Sequence, residues 1–118
     1  MHTETNEVHR KLVRDKIPER ILNAGDRPQW WPLADDDEYL NALRSKVVEE
    51  ATEVRDASSS ELVDELADLF EVVTALTNTL GVTETQVREA ADRKRYARGG
   101  FANRIWLEQV ELRTPPSK

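Results

Sequence analysis

Five carboxylates stand out in this chain of 118 residues: Glu49, Glu50 and Glu53, followed after an eleven-residue gap by Glu65 and Asp68. Carboxylates three apart share one face of a helix, so each cluster presents a pair of oxygens side by side. Two such pairs brought together would form a nest of hard oxygen donors, the chemistry that suits a divalent cation such as Mg²⁺, with Mn²⁺ as an alternative. The question for the remaining residues is whether they can bring the two clusters to one place.

Both clusters lie in helical, amphipathic stretches. An apolar line of Leu40, Leu43, Val47, Ala51 and Val54 predicts a helix from about Asp37 to Asp56, with the aspartates of Asp35-Asp36-Asp37 as N-caps. The serine-rich turn Ser58-Ser59-Ser60-Glu61 follows, with Ser58 and Glu61 matching a capping box. The next helix carries Leu62, Leu66, Leu69, Val73, Leu76 and Leu80, and stops at Gly81. A helix over Thr83 to Arg98, opened by Thr83 and Gln86 and ended by Gly99-Gly100, has only small apolar residues: Val87, Ala90, Ala91 and Ala97. Upstream, Pro18 and Gly25 bracket a short helix.

At 100° per residue, Glu50 lies about 60° and Glu53 about 120° from the centre of the apolar stripe of their helix. Glu65 and Asp68 sit about 60° and 120° from the stripe of theirs, in the same sense. Two helices joined by a short turn pack antiparallel, and the two-fold relation between them carries one flank onto the matching flank. The expectation is four carboxylates on one side of a helical hairpin. At an effective dielectric near 20, two unit charges about 4 Å apart repel by roughly 4 kcal/mol, so a cation is the natural compensation. A solvated acidic face accounts for Glu38, Asp56, Asp64 and Glu71, but not for the matched offsets at the edge of the core.

Composition bounds the rest. Hydrophobic residues make up 38% and charged residues 34%, which gives a modest core and points to completion of the bundle by association, as a homodimer or homotetramer. A net charge of −6 argues against a nucleic-acid polymer or a membrane surface as partner. There are no cysteines, no apolar leader and no run of roughly 20 apolar residues, so the expected setting is cytoplasmic. The fold class is all-α: a helical bundle on an antiparallel hairpin, occupying residues 10–110. Residues 1–9 read as a flexible arm and 111–118 as a disordered tail. Residues 101–110 read as either a short C-terminal strand or a final helical turn. Trp30 and Trp31 are expected to cap the core or fill a subunit interface rather than to stack on a base.

Glu49-Glu50-x-x-Glu53 with Glu65-Leu66-Ala67-Asp68 resembles the motif of the MazG-like all-α nucleoside triphosphate pyrophosphohydrolases. Lys11-Leu12-Val13-Arg14-Asp15-Lys16-Ile17-Pro18 and Lys94-Arg95-x-x-Arg98-Gly99-Gly100-Phe101 resemble its small MazG-like branch. The resemblance covers about residues 10–107. It implies Mg²⁺-dependent cleavage between the α- and β-phosphates of a nucleoside triphosphate, giving a monophosphate and pyrophosphate, in nucleotide-pool house-cleaning. It also implies that Glu50, Glu53, Glu65 and Asp68 hold metal and that Glu49 orients or deprotonates the attacking water. Lys11, Arg14, Lys16, Lys94, Arg95 and Arg98 are candidates to grip phosphate, although cations near the end of a helix also complement its dipole. His2 and His9 lie near the N-terminus, so a carboxylate base is expected. The chain departs from the family pattern in two places. The short gap between the clusters leaves no room for pocket-forming insertions, and Leu69-Phe70-Glu71 replaces the Tyr-His continuation of the histidine-biosynthesis branch. The competing readings are a dUTP- or dCTP-specific enzyme, a non-catalytic metal- and nucleotide-binding module, and a plain helical interaction domain.

Overall fold

In a computed structural model that describes residues 5–113, the protein is built from four helices, α1 (Ile17–Asn23), α2 (Asp36–Asp56), α3 (Leu62–Leu80) and α4 (Glu84–Arg98). The all-α class holds, and among the described residues there is no strand. The chain divides into two compact units, residues 1–84 and 85–118.

The first unit is organised by the antiparallel packing of α2 on α3. Asp35 starts α2: its carboxylate accepts a hydrogen bond from the Glu38 backbone N–H at 3.0 Å, so the first aspartate of the run is the cap. The turn over residues 57–61 is closed by a backbone bond from Glu61 N–H to the Ser58 carbonyl (3.0 Å). The Ser58 hydroxyl donates to the Glu61 carboxylate at 2.6 Å. The expected capping box is therefore replaced by a direct side-chain pair, because Glu61 itself takes the N-cap position of α3 without capping it. Gly81, at φ 71°, ends α3 in the left-handed conformation; Val82 N–H then reaches the Thr77 carbonyl at 3.0 Å.

Leu43, 2% exposed, is the most deeply buried apolar side chain of the hairpin, and Val72 is buried opposite the same seam. The stripe expected on α3 is split by the structure. Leu69 and Leu76 are partly buried with Val72, whereas Leu66, Val73 and Leu80 are exposed. The cause is that α3 is apolar around most of its circumference, so periodicity alone does not choose which face meets α2. Val63, Leu66, Phe70, Val73 and Leu80 remain as a second, exposed apolar stripe. Trp30 and Trp31 are 62% and 73% exposed, so neither caps the core of this chain.

In the second unit, α4 buries no side chain. Gly99, at φ 85°, turns the chain out of the helix, and its N–H bonds the Arg95 carbonyl at 2.8 Å. A turn follows, with Arg104 N–H on the Phe101 carbonyl at 3.0 Å. Residues 101–110 form neither the strand nor the final helical turn expected: beyond the turn at Phe101–Arg104 they hold no regular structure. A lone alternating segment has no ladder partner among the described residues, and an unpaired strand is not a stable element. The expected arm and tail are described only over residues 5–9 and 111–113; residues 1–4 and 114–118 lie outside the described part. No helix of the described residues is long and apolar enough to cross a membrane.

Because Leu43 anchors the α2–α3 seam, Leu43→Ala should cost about 2–5 kcal/mol of unfolding free energy, measured by chemical denaturation. The same truncation at exposed Val48 should leave the midpoint nearly unchanged.

Candidate active site: a carboxylate cluster latched by lysine and arginine

The antiparallel hairpin brings one residue of α2 and two of α3 together at a single edge. Carboxylate oxygens of Glu50, Glu65 and Asp68 all lie within 4.8 Å of one another. Glu50 is 9% exposed, and Glu65 and Asp68 are partly buried. Glu53 stays outside the trio and is exposed. It lies one turn nearer the hairpin end than Glu50 and, like Glu65, has no cation partner among the described residues.

Three cations converge on these carboxylates. Lys46 Nζ lies 3.2 Å from Glu49 Oε2 and 3.2 Å from Glu50 Oε1. Lys11 Nζ reaches the other oxygen of Glu49 at 3.2 Å, and Arg14 donates to Asp68 Oδ1 at 2.8 Å. The segment carrying Lys11 and Arg14 thus ties α2 to α3 across the acidic edge. Lys16 stands exposed at the N-cap of α1. Lys46 was not among the residues selected from the sequence. Its signal was present, since it stands three and four residues before Glu49 and Glu50 on one helical face.

These contacts differ in weight. The Lys11 and Arg14 pairs are substantially exposed, with partners worth about 0.2–1 kcal/mol each by the measure of surface ion pairs. Lys46 and Glu50 are 14% and 11% exposed at the side chain, so loss of either would strand a mostly desolvated charge.

The electrostatics separate two neighbouring glutamates. Burial raises the Glu49 carboxyl, but hydrogen bonds from Lys46 and Lys11, with their charges, outweigh it and hold the group below the ordinary glutamate range. Glu65 is raised, first by desolvation and then by the charges of Asp68, Glu53, Glu50 and Glu61. Glu49 is thus a secured anion, while Glu65 carries the uncompensated repulsion of the cluster.

The donor set fits a hard divalent cation. A metal–oxygen distance of about 2.1 Å, as for Mg²⁺, spans about 4.2 Å between opposite ligands, and about 2.4 Å, as for Ca²⁺, spans about 4.8 Å. Small rotations of Glu50, Glu65 and Asp68 bring their oxygens within that reach. The Lys46 ammonium already neutralises one member of the set, an independent sign that the cluster requires positive charge.

The second unit holds the other basic group. Lys94, Arg95 and Arg98 all lie exposed on the last turns of α4. Arg95 pairs with Asp92 at 3.2 Å, one turn back on the same helix. Arg98 borders a separate hollow formed by residues 98–105.

No curated protein and no solved structure matches the chain. A family model does: that of phosphoribosyl-ATP pyrophosphohydrolase, over residues 19–95. The match takes in both acidic clusters and the whole of α2 and α3, and it includes Lys94 and Arg95 but not the Lys11–Arg14 segment. It carries the name of the branch from which Leu69-Phe70-Glu71 departs, so it bears on membership and on the class of reaction rather than on the substrate. The chain belongs to the phosphoribosyl-ATP pyrophosphohydrolase family, within the MazG-like all-α superfamily, and is a nucleotide pyrophosphohydrolase that cleaves a phosphoric anhydride.

Proposed function

We propose that the protein is a divalent-metal-dependent nucleoside triphosphate pyrophosphohydrolase that releases a monophosphate and pyrophosphate, with Mg²⁺ as the working ion. The carrying observation is the convergence of Glu50, Glu65 and Asp68 within 4.8 Å. Glu50, Glu65 and Asp68 would hold the ion, joined by Glu53, which is near enough to raise Glu65. When bound, the ion supplies charge neutralisation on the phosphate chain and acidifies a water.

This chain's own residues supply orientation. Glu49, held ionised and fixed through both oxygens by Lys11 and Lys46, aligns the attacking water as an acceptor. Its lowered carboxyl favours that orienting role over taking the proton in advance. Water adds at phosphorus, the bond to the bridging oxygen breaks, and pyrophosphate leaves. Lys11 and Arg14 exchange their carboxylate partners for phosphate oxygens, and Arg offers the forked geometry suited to that contact. Lys16, Lys94, Arg95 and Arg98 are further candidates for the same task. The family's named substrate is itself an ATP derivative, so a triphosphate remains the class favoured here, with clearance of non-standard or surplus nucleotides in the cytoplasm as the role.

The exposed stripe Val63, Leu66, Phe70, Val73 and Leu80 supports assembly as a homodimer or homotetramer through α3. Phe70→Asp should then yield a smaller particle in light scattering after size-exclusion chromatography; an unchanged mass would remove α3 from the interface.

Glu50→Gln and Asp68→Asn should each lower pyrophosphate release by about a hundredfold or more, the scale of losing a few kcal/mol of charge stabilisation. Helix content by circular dichroism should be unchanged. Full activity in both variants, on a panel of nucleotides scored for monophosphate product, would refute the assignment.

Glu65 yields a pH signature. Its folded-state carboxyl is raised, so the stability contributed by its proton is fully present below the unfolded value and is lost as pH rises through the raised one. Ionised Glu65 therefore opposes folding of the metal-free chain at neutral pH. In chelator, Glu65→Gln should melt above wild type at neutral pH, and the gap should close as pH falls through the carboxylate range. Millimolar Mg²⁺ should raise the melting temperature of wild type more than that of the variant.

A further inference from the structure

Residues 105–112 leave the turn at Phe101–Arg104 without regular structure. Arg104, at φ 59°, ends that turn, so the run begins at Ile105 with Arg104 at its corner. Among the described residues no backbone group of 105–112 is hydrogen-bonded, which leaves a row of donors and acceptors open to pairing. The Trp106 indole donates to Glu108 Oε2 at 3.0 Å, which sets these two alternate residues on one side of the chain. Ile105 and Leu107 take the alternate positions. Ile105 and Trp106 are each 84% exposed, and Leu107 is 72% exposed. Neither proline nor lysine, two common guards of such an edge, interrupts the run.

The order of the side chains selects the partner. Two copies related by a two-fold axis pair antiparallel, and opposite side chains share a face, so the axis passes through one residue that meets itself. With the axis at Trp106, indole meets indole, Ile105 meets Leu107, and Arg104 meets Glu108. Aromatic, aliphatic and opposite-charge pairs of this kind are the favourable ones across a ladder. Moving the axis to Leu107 sets Trp106 against Glu108 and Arg104 against Val110. Moving it to Glu108 sets a carboxylate against itself, and moving it to Gln109 sets Glu108 against Val110. The register centred on Trp106 is the one that matches every pair.

We propose that the segment from Arg104 to Glu108 is a self-pairing edge, joining two copies of this chain in an antiparallel two-stranded ladder centred on Trp106. Glu108 keeps the indole on one oxygen and takes the guanidinium of the second copy on the other. A two-stranded ladder is marginal alone, so it acts as a second contact between copies that are also held elsewhere. To that extent it rests on the assembly proposed through α3. Two different two-fold contacts in one chain can close a tetramer with two ladders, each raising the effective concentration for the other. The pairing needs neither nucleotide nor metal.

The test is the mass of the full chain by sedimentation equilibrium, for wild type, Glu108→Arg, and the exchange Arg104→Glu with Glu108→Arg. Both positions are exposed, so the fold is not at stake. Glu108→Arg opposes two cations twice in each ladder and should weaken association by about tenfold or more, and the exchange should restore it. A monomeric wild type, an unchanged mass in Glu108→Arg, or a loss that the exchange does not restore overturns the ladder. A mass that falls with Phe70→Asp but not with Glu108→Arg keeps the α3 contact and defeats the ladder; the reverse result keeps the ladder and removes α3. Because the chain has no cysteine, the register is also open to a chemical reading. Trp106→Cys should oxidise to a covalent dimer well ahead of Val110→Cys, since position 106 faces itself across the axis. Equal rates at the two positions overturn the register.

Discussion

Repulsion among carboxylates is the constraint around which the first unit is arranged. Packing α2 against α3 with a shared acidic flank concentrates negative charge at the edge of the hydrophobic seam. Two unit charges about 4 Å apart oppose each other by roughly 4 kcal/mol at an effective dielectric near 20, comparable with the total stability of a small domain. The fold meets this cost with cations delivered from two directions. Lys46 comes from within α2, and Lys11 and Arg14 come from the preceding segment, which has no other regular structure to hold it in place. The compensation is uneven. Glu49 has two cationic partners and Asp68 has one, while Glu65 keeps its repulsion. A cluster that is fully neutralised internally has no use for an external ion; one in which Glu53 and Glu65 lack a cation partner among the described residues would have one.

That imbalance bears on why the basic segment lies where it does. A salt bridge between exposed partners contributes little to stability, so Lys11–Glu49 and Arg14–Asp68 are easily exchanged for better ones. A phosphate chain arriving with its own charge offers such an exchange. On the proposed reading the same cations would hold the carboxylate edge together and then grip the substrate, without a second set of basic residues in the first unit. Lys46 is different. It is mostly buried and shared between two carboxylates, so it is placed to remain while Lys11 and Arg14 change partners.

Much of this was legible in the sequence because it depends on helical geometry, which is nearly invariant. The offsets of Glu50, Glu65 and Asp68 from their stripes are fixed by 100° per residue, and the short Ser58–Glu61 turn fixes the antiparallel sense. The helix ends at Asp56, Leu80 and Arg98 follow from turn residues and glycine stops for the same reason. What was not legible depends on competition between similar alternatives. Val72 and Val73 are adjacent and equally apolar, and tertiary contact alone chose Val72 for the seam. The segment after Gly100 alternates like a strand, but strand formation is a property of a pair, and no partner strand exists among the described residues. Lys46 was overlooked because helical i,i+4 pairs usually lie in solvent, and burial, which the sequence does not state, is what gives this one its weight.

The exposed apolar residues extend the argument from the site to the assembly. In α3, the face turned toward α2 and the face carrying Val63, Phe70 and Val73 belong to one helix. Asp68 stands on it two residues from Phe70 and three from Glu65. At 100° per residue Phe70 stands about 160° around α3 from Asp68, and residues two apart on a helix do not face each other. A second surface packed along Val63, Phe70 and Val73 would therefore cover apolar area across the helix from Asp68 and leave the carboxylate edge open to an ion and to substrate.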